Sequence, residues 1–414
     1  MKFLRTFSCL FIGTMFIFSG VTKAIDPIGT GFVIAEYLKA LGLQFFTPLS
    51  VAGGMAQSMV ELLLGVALIL GVRMRLTTLF SMAIMVFFTF FTFWVAMVNP
   101  VRHCGCFGDA IILTNWETFY KNLIFTPFTI FLFFQRKHFR TLASPLIEWS
   151  TLALFGVACI ALSCYCYRHL PLVDFTGFRV GNDIPQAMTV PDDAPKHQYK
   201  TTLTYQKGKE TKTFTMDNLP DSTWTFVDMD TRLVKMGALP QIPTFEVSSY
   251  QSGRYITDSL LSIRGPLLLF IVPHVDKAHP KAFEKAGTLY QQQATQANIP
   301  FIVLSGSGET LTASTLHPYG IAAPLYFADA KTLYTMIRAN PGLMLLYNAT
   351  VVAKWSAHDI PALPKIERLL AQDWEVVSAT SRMTELLRIS LSTILLLILL
   401  SALRLLFKHV SRPS

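Results

Sequence analysis

Long apolar runs separated by short polar loops occupy the first 170 residues, and one more run lies near the end of the chain. A helix needs about 20 mostly apolar residues to cross a bilayer, because it must satisfy its backbone hydrogen bonds within itself. The runs that approach this length lie at residues 6–21, 51–71, 77–98, 120–134, 146–167 and 389–407. The pattern therefore predicts an all-α membrane bundle of six helices.

The first apolar run follows Lys2 and Arg5, as the apolar part of a signal peptide would. However, no Ala-x-Ala-like cleavage site comes after it, and the chain continues directly into Lys23-Ala24-Ile25-Asp26-Pro27. We therefore expect this run to be retained as the first span.

A different pattern begins near residue 171 and continues to about 385. Alternating residues at 200–205 and 210–216 predict a small β-hairpin or meander. After it, apolar strands and helical segments alternate as in a βαβ unit. The predicted strands lie at 266–272, 300–305, 342–347 and 351–355, and the predicted helices lie at 280–297, 309–319 and 361–372. This part of the chain predicts an α/β domain inserted between the fifth and sixth spans.

Composition agrees with this division of the chain. The hydrophobic fraction is 52% and the mean hydropathy is +0.43, values typical of a membrane protein. Residues 171–385 hold 19 Lys and Arg against 20 Asp and Glu, whereas the rest of the chain holds 16 against 6. A nucleic-acid partner would need a basic patch on the soluble part. Its neutral balance argues against that class of function, whereas the lipid bilayer is an expected partner.

The basic excess flanks the spans and predicts their orientation. If successive spans alternate in direction, one side of the membrane receives the basic residues Lys2, Arg5, Arg73, Arg75, Arg136, Lys137, Arg140, Arg404, Lys408 and Arg412. Cytoplasmic loops are enriched in Lys and Arg. We therefore expect a protein of the bacterial inner membrane, with both termini in the cytoplasm and residues 168–385 in the periplasm or outside the cell.

Cys104 and Cys106 lie in a polar loop just past the outer end of the third span. A disulfide within Cys-x-Cys closes a very small ring, so it is strained and easily reduced. Gly105 supplies the backbone freedom that such a ring requires. The neighbouring Arg102 and His103 lower a thiol pKa and increase the fraction of thiolate. These features predict a redox-active dithiol.

A second Cys-x-Cys, Cys164 and Cys166, lies at the outer end of the fifth span and is a weaker candidate for the same chemistry. Residues two apart on a helix point to different faces. A metal site made of His103 and the four thiolates is an alternative, but zinc sites use wider cysteine spacing. The remaining cysteines, Cys9 and Cys159, are expected to pack as small apolar side chains.

Glu61 lies inside the second predicted span, where a carboxylate is costly and usually faces the bundle interior or a cavity. Gln57 and Ser58 lie within a helical turn of it. Lys23 would pair with Glu61 if the bundle placed both at the same depth. Glu61 is therefore either a functional group or one end of a structural buried hydrogen bond.

The first 140 residues, about a third of the chain, resemble the DoxX/MauE family of four-helix membrane proteins. The matching segments are Phe18-Ser19-Gly20-Val21-Thr22-Lys23-Ala24-Ile25-Asp26-Pro27, Glu61-Leu62-Leu63-Leu64-Gly65 and Cys104-Gly105-Cys106-Phe107-Gly108-Asp109. The resemblance implies a redox-associated membrane protein: its MauE branch is linked to disulfide-rich enzymes of methylamine oxidation, and other relatives to quinol oxidase or sulfur metabolism. The chain departs from the family by its fifth span, outer domain and sixth span.

The outer domain resembles the thioredoxin-like fold, in particular its peroxiredoxin and TlpA-type branches. Residues 242–245 would form its first strand, and Pro341 matches the position of the family's cis-proline. The family's Cys-x-x-Cys would fall in the loop at residues 273–280, which contains no cysteine. The resemblance therefore implies a binding or scaffold version of the fold, because no thiol is present there to attack a disulfide.

Five regions are expected. They are a DoxX/MauE-like four-helix domain at 1–140, a fifth helix at 141–170, a β-rich connecting region at 171–240, a thioredoxin-like domain at 241–385, and a sixth helix with a cytoplasmic tail at 386–414.

Three functions are compatible with this organisation. The first is a membrane redox protein, either a thiol–disulfide oxidoreductase or its accessory subunit, which exchanges electrons between an extracytoplasmic protein, Cys104/Cys106 and a membrane quinone. The second is a non-catalytic binding or assembly protein that uses the cysteine-free outer domain. The third is a transporter component centred on Glu61, for which the broken helices and repeats of many transporters are missing from the sequence. The redox function is preferred.

Overall fold

The computed structural model describes residues 1–101, 104–139, 144–190, 194–195, 198–208, 210–216, 218–235, 237–243, 245–372 and 402. Two parts are evident in these residues: a helical bundle up to residue 168 and a sheet-rich part from residue 184 to 370.

The bundle consists mainly of long apolar helices. In chain order its elements are α1 (Lys2–Ile25), α2 (Pro27–Ala40), a 3₁₀ helix (Gln44–Leu49), α3 (Ser50–Leu70), α4 (Met74–Val98), the short strand β1 (Cys106–Asp109), α5 (Asn115–Phe134), a 3₁₀ turn (Arg136–His138) and α6 (Pro145–Arg168). Four helical segments of the described chain are long and apolar enough to cross a membrane: Lys2–Ile25, Gln44–Leu70, Met74–Val98 and Pro145–Arg168. Four of the six predicted spans are thus confirmed as candidate membrane helices.

The other two predicted spans have different outcomes. The fourth, at 120–134, lies within α5, which carries Glu117 and Lys121 and falls outside the set of candidate membrane helices. It remains a prediction as a span. The sixth, at 389–407, lies outside the described residues except for residue 402.

No helix was predicted between the first two spans, but α2 occupies much of residues 24–50. The Asp26 side chain accepts a hydrogen bond from the Gly29 backbone N–H at 2.8 Å and caps the helix, and Pro27 takes the first helical position, where its missing N–H costs nothing. This start signal is visible in the sequence, but the helix is too short to read as a span.

α1 and α3 approach each other closely at small residues. A Cβ added to Gly65 would lie 2.6 Å from the Gly13 carbonyl oxygen, and one added to Gly20 would lie 2.7 Å from the Leu62 backbone nitrogen. Small residues let helix backbones come into contact in a membrane, where apolar burial alone does not favour association. This close packing brings the outer end of α1 beside the middle of α3.

The sheet-rich part begins with the short helix α7 (Ile184–Met188) and a separate antiparallel sheet. Its strands are β2 (Gln198–Lys207), β3 (Glu210–Thr215) and β4 (Thr225–Lys235), in the order β3-β2-β4. The small β-hairpin or meander predicted at 200–205 and 210–216 is present as β2 and β3, and β4 adds a third strand.

A six-stranded mixed sheet forms the core of the outer part. Its strands and helices are β5 (Val247–Ser249), α8 (Thr257–Leu261), β6 (Pro266–Val272), α9 (Pro280–Gln296), β7 (Phe301–Ser305), α10 (Glu309–Leu316), β8 (Leu325–Ala328), α11 (Ala330–Ile337), β9 (Gly342–Tyr347), β10 (Thr350–Ser356) and α12 (Leu363–Leu370). The strand order is β10-β9-β6-β7-β8-β5. β6, β7 and β8 are parallel, whereas β9, β10 and β5 run antiparallel to their neighbours.

The central strand β6 is buried on both sides. Leu268, Phe270 and Val272 belong to one hydrophobic cluster, and the alternating Leu269 and Ile271 belong to the other. A strand that is covered on both faces has a continuous apolar sequence. Such a run predicted the strand at 266–272, and this prediction is confirmed. The predicted β9–β10 hairpin is also present, turning at Asn348 and Ala349, both with positive φ.

The expected first strand at 242–245 is wrong. The described residues Ile242, Pro243 and Phe245 lie outside the strands, and the first strand of the sheet is Val247–Ser249. Proline cannot donate to a strand ladder, and Ile242 and Phe245 are instead buried against the sheet face. The strand β8 and the helix α11 were not predicted, because elements of four and eight residues are too short for a periodic signal. The peptide bond between Asn340 and Pro341 is cis, as expected.

The glycine contact between α1 and α3 predicts a position-specific effect. Gly65→Ala places a Cβ against the Gly13 carbonyl, so it should lower stability by about 1–3 kcal/mol, the usual cost of overpacking. Gly53→Ala, on the same helix but with open space around it, is the matched control. Thermal unfolding in detergent should show a lower Tm for Gly65→Ala only; equal Tm values would contradict the contact.

Candidate functional site

A buried ion pair connects α1 and α3 at the C-terminal end of α1. The Lys23 ammonium lies 2.7 Å from the Glu61 carboxylate, and both side chains are buried. Lys23 also donates to the Ser19 hydroxyl at 2.7 Å and to the Cys106 carbonyl at 2.6 Å, while Gln57 donates to Glu61 at 2.9 Å. All three donors of the ammonium are therefore used. The Lys23–Glu61 pair, which was expected only if both residues lie at the same depth, is present. Through Lys23 it holds the cysteine loop, the loop that contains Cys104 and Cys106.

The cysteine loop is fixed against α2 by its glycine. Gly105 has φ +68, in the left-handed region, and a Cβ there would meet the Val33 side chain at 2.8 Å. The Tyr37 hydroxyl donates to the Cys104 carbonyl at 2.9 Å. The backbone is thus held on both sides of Gly105, and the Sγ atoms of Cys104 and Cys106 lie 3.4 Å apart.

The two thiols are electrostatically unequal. The hydrogen bond between them lowers the pKa of Cys106 to about 6; burial opposes this shift, and the nearby Lys121 and Lys23 ammonium groups reinforce it. The same hydrogen bond and burial raise the pKa of Cys104. Cys106 is therefore the thiolate at neutral pH, and Cys104 is the thiol that donates to it. A lowered pKa beside cations is the usual environment of a reactive cysteine.

Both cysteines line a cavity of about 280 Å³ that extends into the bundle. Aromatic side chains of α4 form much of its wall, and Lys23, Glu61 and Lys121 lie at its polar end. The ammonium of Lys121 stands 4.2 Å from the centre of the Phe107 ring, next to Cys106. The arrangement places a thiolate, two cations and an apolar pocket together.

The outer domain is joined to this site by a buried arginine. Arg338 follows α11, and its Nε lies 2.9 Å from the Asp26 carboxylate while another guanidinium nitrogen contacts Asp109. It also donates to the Tyr334 carbonyl at 3.2 Å. Asp26 caps α2 and Asp109 ends the strand that begins at Cys106, so one side chain bridges the outer domain and both borders of the cysteine loop.

Further contacts surround this bridge. The Tyr334 ring packs edge-on against Phe32 of α2, with their centres 5.3 Å apart, and also lies beside His274. Lys331 forms an ion pair with Glu36. The face of the outer domain that holds the loop after β6 and the segment before Pro341 therefore points toward the bundle.

The remaining candidate residues are not brought to this site. Cys164 is exposed on α6 and Cys166 is buried, so they occupy different faces as their spacing predicts. In the described chain, neither sulfur contacts the other pair or its own neighbour. Cys9 and Cys159 pack in apolar clusters, as expected. His103 lies outside the described residues. The described residues contain no group of three or more potential ligands that could hold a metal ion.

Several site residues escaped the sequence analysis: Tyr37, Asp26, Asp109, Lys121 and Arg338. Lys121 carried a usable signal, because an ionisable residue in a predicted span is a candidate functional group. Asp26 and Asp109 lie within the segments that resemble the DoxX/MauE family, but no ion-pair partner was predicted for either carboxylate. Arg338 had no local signal, since its role arises only when the two domains meet.

The helices and the site together define an integral membrane protein with a dithiol loop at one end of its bundle. Residues 1–135, about a third of the chain, match the family model of methylamine utilisation protein MauE, so this part of the bundle is similar to that family. Residues 199–236 match a domain of unknown function (DUF8463), which coincides with the three-stranded sheet. No curated protein and no solved structure matches the chain.

The low pKa of Cys106 predicts the pH dependence of its alkylation. The thiolate forms as pH rises through about 6, so the rate of Cys106 alkylation by iodoacetamide should rise around this pH and level off above about pH 7. An ordinary thiol has a pKa of about 8.5, so its alkylation rate would level off only at a higher pH. Cys104→Ala removes the donor and should move the midpoint upward by about one unit or more. Peptide mass spectrometry assigns the modified residue. An unchanged midpoint in Cys104→Ala would contradict the thiol–thiolate hydrogen bond.

The Arg338 bridge predicts how the outer domain protects the cysteines. Arg338→Gln leaves Asp26 buried without its cation, a change that costs about 3–5 kcal/mol for a buried pair. The outer domain should loosen, and a bulky maleimide should modify Cys106 at least several-fold faster. Lys331→Gln is the matched control, because its ion pair with Glu36 is exposed and worth little. Equal labelling rates in the two variants would rule out the bridge.

Proposed function

We propose that this protein is a membrane thiol–disulfide oxidoreductase, or an accessory subunit of one, with Cys104 and Cys106 as its reactive pair. The observation that carries the proposal is the 3.4 Å separation of two thiols of unequal pKa, in a rigid loop that borders a cavity. In this proposal Cys106 is the nucleophile and Cys104 resolves the intermediate.

The exchange reaction follows from this inequality. The Cys106 thiolate attacks one sulfur of a partner disulfide, forming a mixed disulfide and releasing the other sulfur as a thiolate. Cys104 then loses its proton and attacks the Cys106 sulfur, which releases the partner's second thiolate. The partner gains two electrons and takes up two protons as its thiolates become thiols, and the Cys104–Cys106 pair becomes a disulfide. In the opposite direction the same steps oxidise a partner dithiol.

The buried pair of Lys23 and Glu61 has a positioning role in this proposal. It holds the Cys106 carbonyl, and the Lys23 charge also favours the Cys106 thiolate. The transporter hypothesis centred on Glu61 loses support, because the carboxylate is engaged by both Lys23 and Gln57.

We further propose a thioredoxin-like fold for the outer domain. Its support is the topology: parallel β6 and β7 joined by α9, an antiparallel β9–β10 hairpin beside β6, and a closing α12. The loop after β6, where such proteins carry their thiols, holds no cysteine here and faces the membrane domain. The outer domain would then act as a cap on the dithiol loop, on the oxidising side of a bacterial inner membrane with both termini in the cytoplasm.

The second candidate function is binding or assembly without catalysis. It is favoured by the three-stranded sheet, on which Phe226, Val227 and Met229 are exposed, and by Met216, which is exposed just after β3. Such apolar residues suit contact with an extracytoplasmic protein. This function requires no chemistry at Cys106, so trapping experiments separate it from the first.

Mixed-disulfide trapping tests the redox function. Cys104→Ser removes the resolving thiol, so a partner should accumulate as a disulfide-linked adduct on Cys106 in acid-quenched membranes, and reduction should release it. Cys164→Ser should form no such adduct and is the control. In wild-type membranes the Cys104–Cys106 pair should cycle between thiol and disulfide. A pair that stays reduced, with no adduct in Cys104→Ser, would leave only the binding function.

A further inference from the structure

The cavity beside the two cysteines is lined by residues of α1, α2, α3, α4 and α5. We propose that it binds the ring of an isoprenoid quinone, which exchanges electrons with the dithiol. This inference rests on the proposed redox function. It names a membrane-soluble electron donor or acceptor with which the dithiol can react.

The size and chemistry of the cavity suit a substituted ring. Its volume of about 280 Å³ lies just below the range for small-molecule sites, roughly 300–1,000 Å³, and suits a single ring with its tail outside. Apolar side chains on its wall include Met15, Phe16, Ile34, Met85, Phe87, Phe88 and Phe91. Offset or edge-on stacking against such rings favours a flat, conjugated ligand.

The polar end of the cavity offers a donor for a ring carbonyl. Lys23 uses its three donors within the protein, the Tyr37 hydroxyl is bound to the Cys104 carbonyl, and Asn122 donates to Thr92. Lys121 also lines the cavity, and its ammonium contacts the face of the Phe107 ring. Its ammonium is therefore the group best placed to donate to a quinone oxygen near the thiolate.

An apolar groove on the bundle surface provides a path for the isoprenoid tail. Its lining residues are Phe7, Leu10, Phe11, Thr14, Met15, Phe18, Phe107 and Phe125, and its volume is about 630 Å³. Met15 lines both the groove and the cavity. Phe18 and Phe107, in contact at 5.3 Å between ring centres, end the groove beside Cys106. From Phe7 to Phe18 the groove follows α1 for about 16 Å at 1.5 Å per residue, so it fits an extended chain.

The reaction balances with one proton from solvent. The Cys106 thiolate and the Cys104 thiol together give up two electrons and one proton as their Sγ–Sγ bond forms, and the quinone takes up both electrons, that proton and one solvent proton to become a quinol. In the reverse direction a quinol reduces the disulfide. The 3.4 Å distance between the sulfurs means that bond formation needs little movement.

Two measurements on the full-length protein in lipid nanodiscs test the inference. In the first, decyl-ubiquinone is added anaerobically to the reduced protein, and quinol absorbance and remaining thiols are followed. In the second, an azido-quinone photolabels the Cys104→Ser/Cys106→Ser variant, which binds without reacting, and peptides are mapped. We expect one quinol per dithiol and labels on α1, α2 or α4.

Matched variants localise the site. Ile34→Trp fills the cavity and should slow quinone reduction at least tenfold and remove the label. Leu43→Trp, on an exposed position that does not line the cavity, should leave both unchanged. Lys121→Met removes the donor without filling the cavity. In the double cysteine variant it should weaken photolabelling several-fold. This second variant keeps the inference testable if Ile34→Trp fails to fold.

The two proposals fail in distinguishable ways. Cavity labelling without oxidation of the dithiol by either decyl-ubiquinone or a soluble peptide disulfide would support a quinone site and overturn the redox function. Reaction of the pair with a soluble peptide disulfide, but neither labelling nor quinone reduction, would keep the redox function and overturn the quinone site. Labelling that survives Ile34→Trp would also overturn the site, because the probe would then bind elsewhere on the bundle.

Discussion

One buried ion pair, Lys23 with Glu61, determines where the dithiol lies. Two charges inside a membrane bundle are tolerated only when they neutralise each other and find further hydrogen bonds. The remaining donors of Lys23 go to Ser19 and to the Cys106 carbonyl, so satisfying the charge also positions the reactive loop. The close glycine packing of α1 on α3 makes this pairing possible. Helix packing, charge neutralisation and thiol position are thus one linked arrangement.

The thiols are enclosed from two sides. The bundle supplies an apolar cavity and cations below them, and the outer domain covers the loop through Arg338 and Tyr334. Exclusion of water strengthens electrostatic interactions, because the local dielectric constant falls. The thiolate of Cys106 is therefore favoured by nearby charges and a hydrogen bond, while access to it is narrow. The proposed partners reach it either from the membrane plane or by displacement of the cap.

The fold was predictable where a long run of apolar residues lies in one uniform environment, either the membrane or the core of the sheet. Apolar runs identified the candidate membrane helices, and the apolar β6 run identified a strand buried on both faces. Local motifs identified the cysteine pair and Glu61. What the sequence could not predict depends on contact between distant segments: α2 looked like a loop, the first strand was placed too early, and Arg338 gave no sign of its carboxylate partners. Periodicity describes one segment's surroundings, whereas ion pairs across domains require the assembled structure.

The Arg338 bridge also has a consequence for biogenesis. Asp26 and Asp109 precede Arg338 by 312 and 229 residues, so both carboxylates are synthesised and inserted long before their cation exists. Domains generally fold in order from the N-terminus during synthesis. Until the outer domain has folded and docked, the rim of the bundle carries two uncompensated acidic groups and an uncovered dithiol. Arrival of the arginine supplies one shared cation to both carboxylates and closes the loop in one step, so docking of the outer domain is what completes the site.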